Sequence, residues 1–426
     1  MSKPPVLAEI RRADYRYRCS RCGFCLAVCP TYRLEPLEPG SPRGRLALLN
    51  NIAMGKKLSP AAGLFLDCCL GCRACHSVCP TGVDPAREVR AVRQPLVNNL
   101  SGLVFAWIWR TACRAFVPRP GRLAFLLRIL RSTHRTGLSR LLSRLPFLGA
   151  LGARLDAVAA FLSPTAPLPH EKRPRVLPAT GREKCRAAFF TGCIMEAALR
   201  PANDAAITLL RSAGCTVIVP PAQTCCGALS YHSGDYVTAR KLALENLNAF
   251  ALEGPFDVIV SAAAACTAHL RSYPDLFEAD PELREKAQGF ATRVRDFTHL
   301  LHALQPHLTA PSPGRVAYHE SCLLRHSGNP GALGEVLSLV AEVEPFPAPH
   351  LGCCGSAGGY AFRHPDVASA LLDAEIGALC GTGATTVVTD NPGCLLFLRY
   401  GLTRHNLQTR IKVQHVAEYL NKGGTP

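Results

Sequence analysis

In the C-terminal part of the chain, short apolar runs alternate with longer stretches of helical spacing. The runs at 187–191, 216–219, 257–261, 316–319 and 385–389 end in Gly- or Cys-rich turns, which predicts strands. Between them, 203–212, 236–252 and 365–379 read as helices. Gly214 follows the first of these and suits the left-handed position that closes a helix. The texture is α/β. Upstream it differs: residues 101–162 are helical in pattern and basic, and 163–182 hold five prolines and read as a linker.

The α/β part repeats itself. Cys193, Cys225, Cys226, Gly227 and Cys266 recur about 128 residues later as Cys322, Cys353, Cys354, Gly355 and Cys394. Local sequence agrees, since Asp257-Val-Ile-Val-Ser matches Thr385-Thr-Val-Val-Thr, and Val294-Arg-Asp-Phe-Thr-His matches Val413-Gln-His-Val-Ala-Glu. Two copies of one domain are expected, at 184–310 and 311–426, after an N-terminal domain at 1–100 and a basic region with linker at 101–183. The expected class is α+β: a helical N-terminal domain followed by two α/β copies.

Composition narrows the chemistry. The chain has 426 residues, 48% of them hydrophobic, so cores are easily built, and 21 cysteines are too many for packing alone. Its start carries Arg11, Arg12, Arg16 and Arg18 without an apolar segment. No signal peptide is expected there, which favours a reducing compartment and metal over disulfides. The formal charge of +17 permits nucleic acid, a membrane surface or an acidic partner. Much of it is concentrated: residues 110–144 hold nine arginines and no acid. That window has only Phe116 and Phe125 as aromatics and matches no nucleic-acid module, so no nucleic acid is expected as a partner. No apolar run is long enough for a transmembrane helix.

Two motifs carry the sharpest signal. Cys19-x2-Cys22-x2-Cys25-x3-Cys29-Pro30 is followed by Cys69-x2-Cys72-x2-Cys75-x3-Cys79-Pro80. Three thiolates at this spacing wrap one iron–sulfur cubane, and the fourth ligates the neighbouring one. The spacing therefore assigns Cys19, Cys22, Cys25 and Cys79 to one [4Fe–4S] cluster, and Cys69, Cys72, Cys75 and Cys29 to a second. Zinc knuckles also use Cys-x2-Cys, but not with a third cysteine and a Cys-Pro, twice over. Cys68 competes with Cys69, and the spacing favours Cys69.

The repeated set gives a second candidate site. Each Cys-Cys-Gly turn gathers with an earlier and a later cysteine at predicted strand ends, where open α/β sheets place ligands. Cys193, Cys225, Cys226, Cys266, Cys322, Cys353, Cys354 and Cys394 are candidate cofactor ligands, and a composite site between the two copies is expected. The alternative is buried thiols. His232, His319, His326 and His350 lie nearby as further candidates, while Cys113, Cys185, Cys215 and Cys380 fit no constellation and read as core residues.

Together, these features resemble the iron–sulfur subunit family of bacterial glycolate oxidase. The pieces that carry the resemblance are Cys22-Gly-Phe-Cys-Leu-Ala-Val-Cys-Pro-Thr-Tyr32, Pro42-Arg-Gly-Arg45, Thr191-Gly-Cys193, Cys225-Cys-Gly-Ala228, His350-Leu-Gly-Cys-Cys-Gly-Ser-Ala-Gly-Gly-Tyr360 and His364-Pro-Asp366. The resemblance implies an electron-transfer subunit that works with an FAD-binding subunit and a second flavoprotein-like subunit. Glycolate would be oxidised to glyoxylate on the flavin, and electrons would pass to a quinone-type acceptor at the cytoplasmic membrane face. Iron–sulfur partners of lactate and anaerobic glycerol-3-phosphate dehydrogenases share the pattern, as do heterodisulfide reductase subunits. The last end their repeats in Cys-x2-Cys, whereas this chain has Ala263 and Asn391 at the first of those cysteines. No flavin fingerprint or P-loop is present, so no catalytic residue is expected and no activity for the chain alone.

Overall fold

The computed structural model describes residues 19–100, 111–137, 158, 160–161, 173–308, 314–327, 329–340, 343–347 and 352–421. The chain divides into two compact units. One comprises 1–111, 229–235 and 350–375, and the other 112–228, 236–349 and 376–426.

The first unit is helical. Helices Pro42–Ala53 and Pro60–Asp67 begin alike, with a serine cap and proline in the first turn. Ser41 Oγ accepts from Gly44 N at 2.9 Å, and Ser59 Oγ from Ala62 N at 3.2 Å, satisfying N–H groups that a helix start leaves open. Both helices pack on Pro85–Leu100. Leu46, Leu49, Leu66, Val83, Ala86, Val89 and Val92 form the core between them. Within this unit the 350–375 segment is fastened by Asp67, which accepts from His364 Nε2 at 2.8 Å and pairs with Arg363 and, at 3.3 Å, with Arg93. Burial works against the Asp67 carboxylate. The His364 bond and the two guanidiniums outweigh it and hold the group well below the usual carboxylate range.

The second unit holds two sheets. The first has strands β1 (Val176–Leu177), β2 (Cys185–Phe189), β3 (Cys215–Ile218), β4 (Val258–Ser261) and β5 (Val294–Asp296) in the order β1-β3-β2-β4-β5, with only β1 antiparallel. The second has β6 (Gly314–His319), β7 (Val343–Pro347), β8 (Thr386–Thr389) and β9 (Lys412–His415) in the order β7-β6-β8-β9, all parallel. Without β1 the two orders are the same, second-first-third-fourth, which is the repeat read from the cysteine spacing. Ala187, Ala188 and Phe189 are fully buried, as expected of a strand covered on both faces. Helix Arg200–Ser212 ends where expected, with Gly214 at φ +95°.

The two copies touch inside this unit. Ala264 N donates to Asp390 O at 3.3 Å, and Ala265 N to Asn391 Oδ1 at 3.1 Å. His415 Nε2 donates to Ala262 O at 2.8 Å while its Nδ1 accepts from Ala417 N at 3.2 Å. These bonds join the end of β4 to the ends of β8 and β9, and each copy's last cysteine follows β4 or β8.

Candidate functional site

The two cysteine motifs fold into matching loops. In each, the residues flanking the second cysteine have positive φ: Arg21 and Gly23 at +56° and +87°, Gly71 and Arg73 at +72° and +63°. Alternation of this kind turns successive backbone N–H groups toward one concavity and makes a nest for an anion. Arginine in that region stores strain, which is common at binding sites. The fourth cysteine of each motif is also set alike. Thr31 Oγ1 lies 3.4 Å from Cys29 Sγ, and Thr81 Oγ1 lies 3.4 Å from Cys79 Sγ.

Two cavities result. Cys69, Cys72, Cys75 and Cys29 line one. Cys19, Cys22, Cys25 and Cys79 line the other, and Cys75 reaches into both. Burial, and then neighbouring Cys353, push the Cys72 thiol far up, and burial and Cys69 do the same to Cys75. Thiols this close and this buried ionise together only around a bound cation, so the donor set fits a thiophilic metal cluster. Cys68 lines neither cavity. It is half-buried and lies 3.8 Å from His364 Nδ1.

The first cysteine-rich copy gathers four buried thiols. Cys225 Sγ and Cys193 Sγ are 3.4 Å apart, and Gly227 N donates to Cys225 Sγ at 3.4 Å. Side-chain contacts with Cys193 and Cys226 lower the Cys225 thiol well below its usual range, while the Cys225 contact raises Cys193 and Cys226. Tyr273 OH donates to Cys226 O at 2.9 Å and Asn246 Nδ2 to Cys225 O at 3.0 Å, which fixes the paired-cysteine turn. Gly227 has φ +91°, a conformation that favours glycine. Cys266 completes the set beside Cys226.

In the second copy a histidine joins the cysteines. His319 and Cys394 are buried with ligand atoms within 4.8 Å of one another. Asn391 Nδ2 donates to Cys394 Sγ at 3.6 Å. Cys322 is half-buried and opens a helix that carries His326. Cys353 and Cys354 belong to the first unit, where Cys353 neighbours Cys72 and Tyr360 OH donates to Cys68 O at 3.2 Å. His232 lies in the same unit near Gly71, and His350 is outside the described residues. Of the leftover cysteines, Cys113 and Cys215 are buried as expected, whereas Cys185 and Cys380 are only half-buried. Cys185 lies opposite Cys215 across β2 and β3, near the open end of the strand pair.

Neither Asp67 as an anchor nor the role of Arg45 is signalled by the local sequence. Arg45 stood in the Pro-Arg-Gly-Arg stretch, but its partners are not adjacent in the chain.

A model described as a 4Fe-4S dicluster domain matches residues 16–83, and a cysteine-rich domain model matches 187–271 and 316–399. The probable glycolate oxidase iron-sulfur subunit of Bacillus subtilis (strain 168) is 36% identical over 416 residues, covering 94% of this chain and 92% of that protein. The glycolate oxidase iron-sulfur subunit of Escherichia coli (strain K12) is 31% identical over 393 residues, 88% of each chain. Lactate utilization protein A of Exiguobacterium sp. (strain ATCC BAA-1283 / AT1b) is 30% identical over 240 residues, 55% of this chain and 97% of that protein.

Proposed function

The chain belongs to the family of glycolate oxidase iron–sulfur subunits, and from that membership we propose that it is the electron-transfer subunit of a complex oxidising glycolate to glyoxylate. In this reading an FAD-binding subunit and a second flavoprotein-like subunit are its partners, and a quinone-type acceptor receives the electrons. The observation that carries the reading is the pair of cavities, each lined by three cysteines of one motif and the fourth of the other. When bound, a cubane cluster exchanges one electron at a time, so a chain holding two can divide a flavin's electron pair.

The protein's own part is to hold thiolates in fixed geometry. We assign Cys19, Cys22, Cys25 and Cys79 to one cluster and Cys69, Cys72, Cys75 and Cys29 to the other. Cys193, Cys225, Cys226 and Cys266 form a four-thiol pocket that fits a further cluster, and Cys322, Cys353, Cys354 and Cys394 are its counterparts by repeat. Buried Ala263 and the Asn391 bond to Cys394 disfavour an independent heterodisulfide-reductase-like activity there. The lactate utilization relatives support lactate as the second substrate reading.

No described helix is long and apolar enough to cross a membrane. Helix Pro120–Arg135 buries Leu123, Ala124 and Leu127 but leaves Phe125 and Ile129 exposed among arginines. This supports reversible attachment to an anionic membrane face.

The test is reconstitution. Glycolate-dependent reduction of a quinone analogue requires this chain together with the flavoprotein subunits, and the isolated chain shows none. Robust glycolate-dependent dye reduction by the isolated chain overturns the proposal.

A further inference from the structure

The Ser41-Pro-Arg-Gly-Arg45 stretch has a geometry that the electron-transfer reading does not use. Ser41 and Pro42 start the helix Pro42–Ala53. Gly44 is required for a steric reason, because a Cβ there would sit 1.8 Å from Glu38 O. With that close approach the two arginines diverge. Arg43 reaches outward, pairing with Glu38 at 2.7 Å and donating to Arg21 O of the first motif at 3.3 Å. Arg45 turns inward and is 3% exposed.

Arg45 meets the second cluster cavity in two ways. Its Nη1 lies 3.8 Å from Cys29 Sγ as donor, and its Nη2 donates to Thr31 Oγ1 at 2.9 Å. That second bond uses the threonine oxygen as acceptor and leaves its hydroxyl hydrogen free for Cys29 Sγ, 3.4 Å away. Nε donates to Phe65 O at 2.8 Å and locks the guanidinium plane. The arginines around it are differently employed: Arg73 pairs with Asp84, and Arg93 and Arg363 with Asp67. Arg45 makes no carboxylate pair among the described residues. Its donors are spent on Cys29 Sγ, Thr31 Oγ1 and Phe65 O instead.

We propose that Arg45 sets the reduction potential of the cluster assigned to Cys69, Cys72, Cys75 and Cys29, raising it by placing a buried cation and two hydrogen bonds on Cys29. The proposal rests on the cluster assignment above. Reduction adds negative charge to a cluster, and both net charge and hydrogen bonds to sulfur tune its potential. Three of that cluster's four ligands are buried, so solvent does little there and a fixed charge acts at short range in a low dielectric. Arg45 is a tuning residue and neither ligates nor transfers anything.

The experiment is an anaerobic redox titration of the full chain followed by electron paramagnetic resonance, with iron counted in every sample. In Arg45→Gln the reduction equilibrium of one cluster falls about tenfold or more, about 59 mV for a one-electron couple, and the other midpoint stays. In Arg45→Lys the same midpoint falls by less, because an ammonium keeps the charge and loses the fork. Arg43→Gln, on the exposed arginine, gives a smaller shift than Arg45→Gln. Unchanged midpoints, equal falls in both clusters, or an equal fall from Arg43→Gln overturn the proposal. Should the Gln variant lose iron, the Lys variant decides, and an unchanged midpoint there overturns it. Absence of cluster signals in the wild-type chain refutes the assignment itself, a separate outcome.

Discussion

In the first cysteine-rich copy, Cys193, Cys225, Cys226 and Cys266 are all buried and lie within one unit, two of them 3.4 Å apart. In the second copy, Cys322 is half-buried, Cys394 bonds Asn391, and the Cys353-Cys354 turn belongs with the ferredoxin motifs, next to Cys72. The strand order is shared, and the two Cys-Cys-Gly turns differ in their neighbours: Asn246 and Tyr273 hold the first, and Cys72 stands beside the second. Their closing strands differ as well. Asp296, at the end of β5, accepts from Thr298 N at 2.9 Å, and His415, at the end of β9, accepts from Ala417 N at 3.2 Å. The same helix start is capped by a buried carboxyl in one copy and a buried imidazole in the other. Duplication has kept the sheet and left the loops and caps free to specialise.

The largest effect is expected from the paired-cysteine turns. Cys225→Ser with Cys226→Ser abolishes electron transfer in the reconstituted complex while the ferredoxin part keeps about eight irons. Cys353→Ser with Cys354→Ser also lowers turnover and keeps that iron, but it alters the resonance signal of the cluster beside Cys72. Full activity in either double variant makes that copy's cysteines structural. An identical spectrum in the second pair breaks the distinction drawn here.

A smaller effect separates the caps by pH. Burial lowers the His415 pKa from 6.5 to about 4. The unfolded chain therefore takes up the proton first, and stability is full above pH 6.5 and declines as pH falls toward 4. The slope is at most about 1.4 kcal/mol per pH unit. Asp296 behaves oppositely: burial, partly offset by Thr298, raises its pKa, so its contribution is present in acid and lost as pH rises through the folded value. His415→Gln flattens the acid limb in urea unfolding. An acid limb unchanged from wild type contradicts the assignment.

Gly227→Ala comes next, forcing a side chain into the left-handed region at about 1–2 kcal/mol. Thermal unfolding reads the loss, and a neutral substitution argues that the turn relaxes. The mildest is Phe125→Ser, which weakens binding to anionic vesicles a few-fold by removing an exposed apolar anchor. Binding that survives high salt and needs detergent for release contradicts peripheral attachment.

Much of this was legible in the chain because the relevant periods are short or regular. The crossed cysteine sets follow from gaps of two and three residues, and the repeat from one fixed offset. The strands β2, β3, β4, β6 and β8 showed as apolar runs. β7 did not, because Val343-Glu-Pro-Phe-Pro347 has two prolines, tolerable only at a sheet edge. β5 and β9 were visible as repeated tails but are too short and polar to read as strands. Asp67 was illegible for another reason: its partners His364 and Arg363 are nearly 300 residues away, and no local pattern reports such a contact. Arg45 lay in a recognised stretch, but only the fold shows that it points at Cys29 while Arg43 points away.

Everything proposed here depends on the eight motif cysteines holding two cubane clusters in crossed sets. Metal analysis of the anaerobically purified chain, with absorption recorded before and after dithionite, tests it most directly. About eight irons are expected in the ferredoxin part, with a broad visible absorption that dithionite bleaches and about four irons lost on Cys29→Ser. Iron near zero with stoichiometric zinc contradicts it.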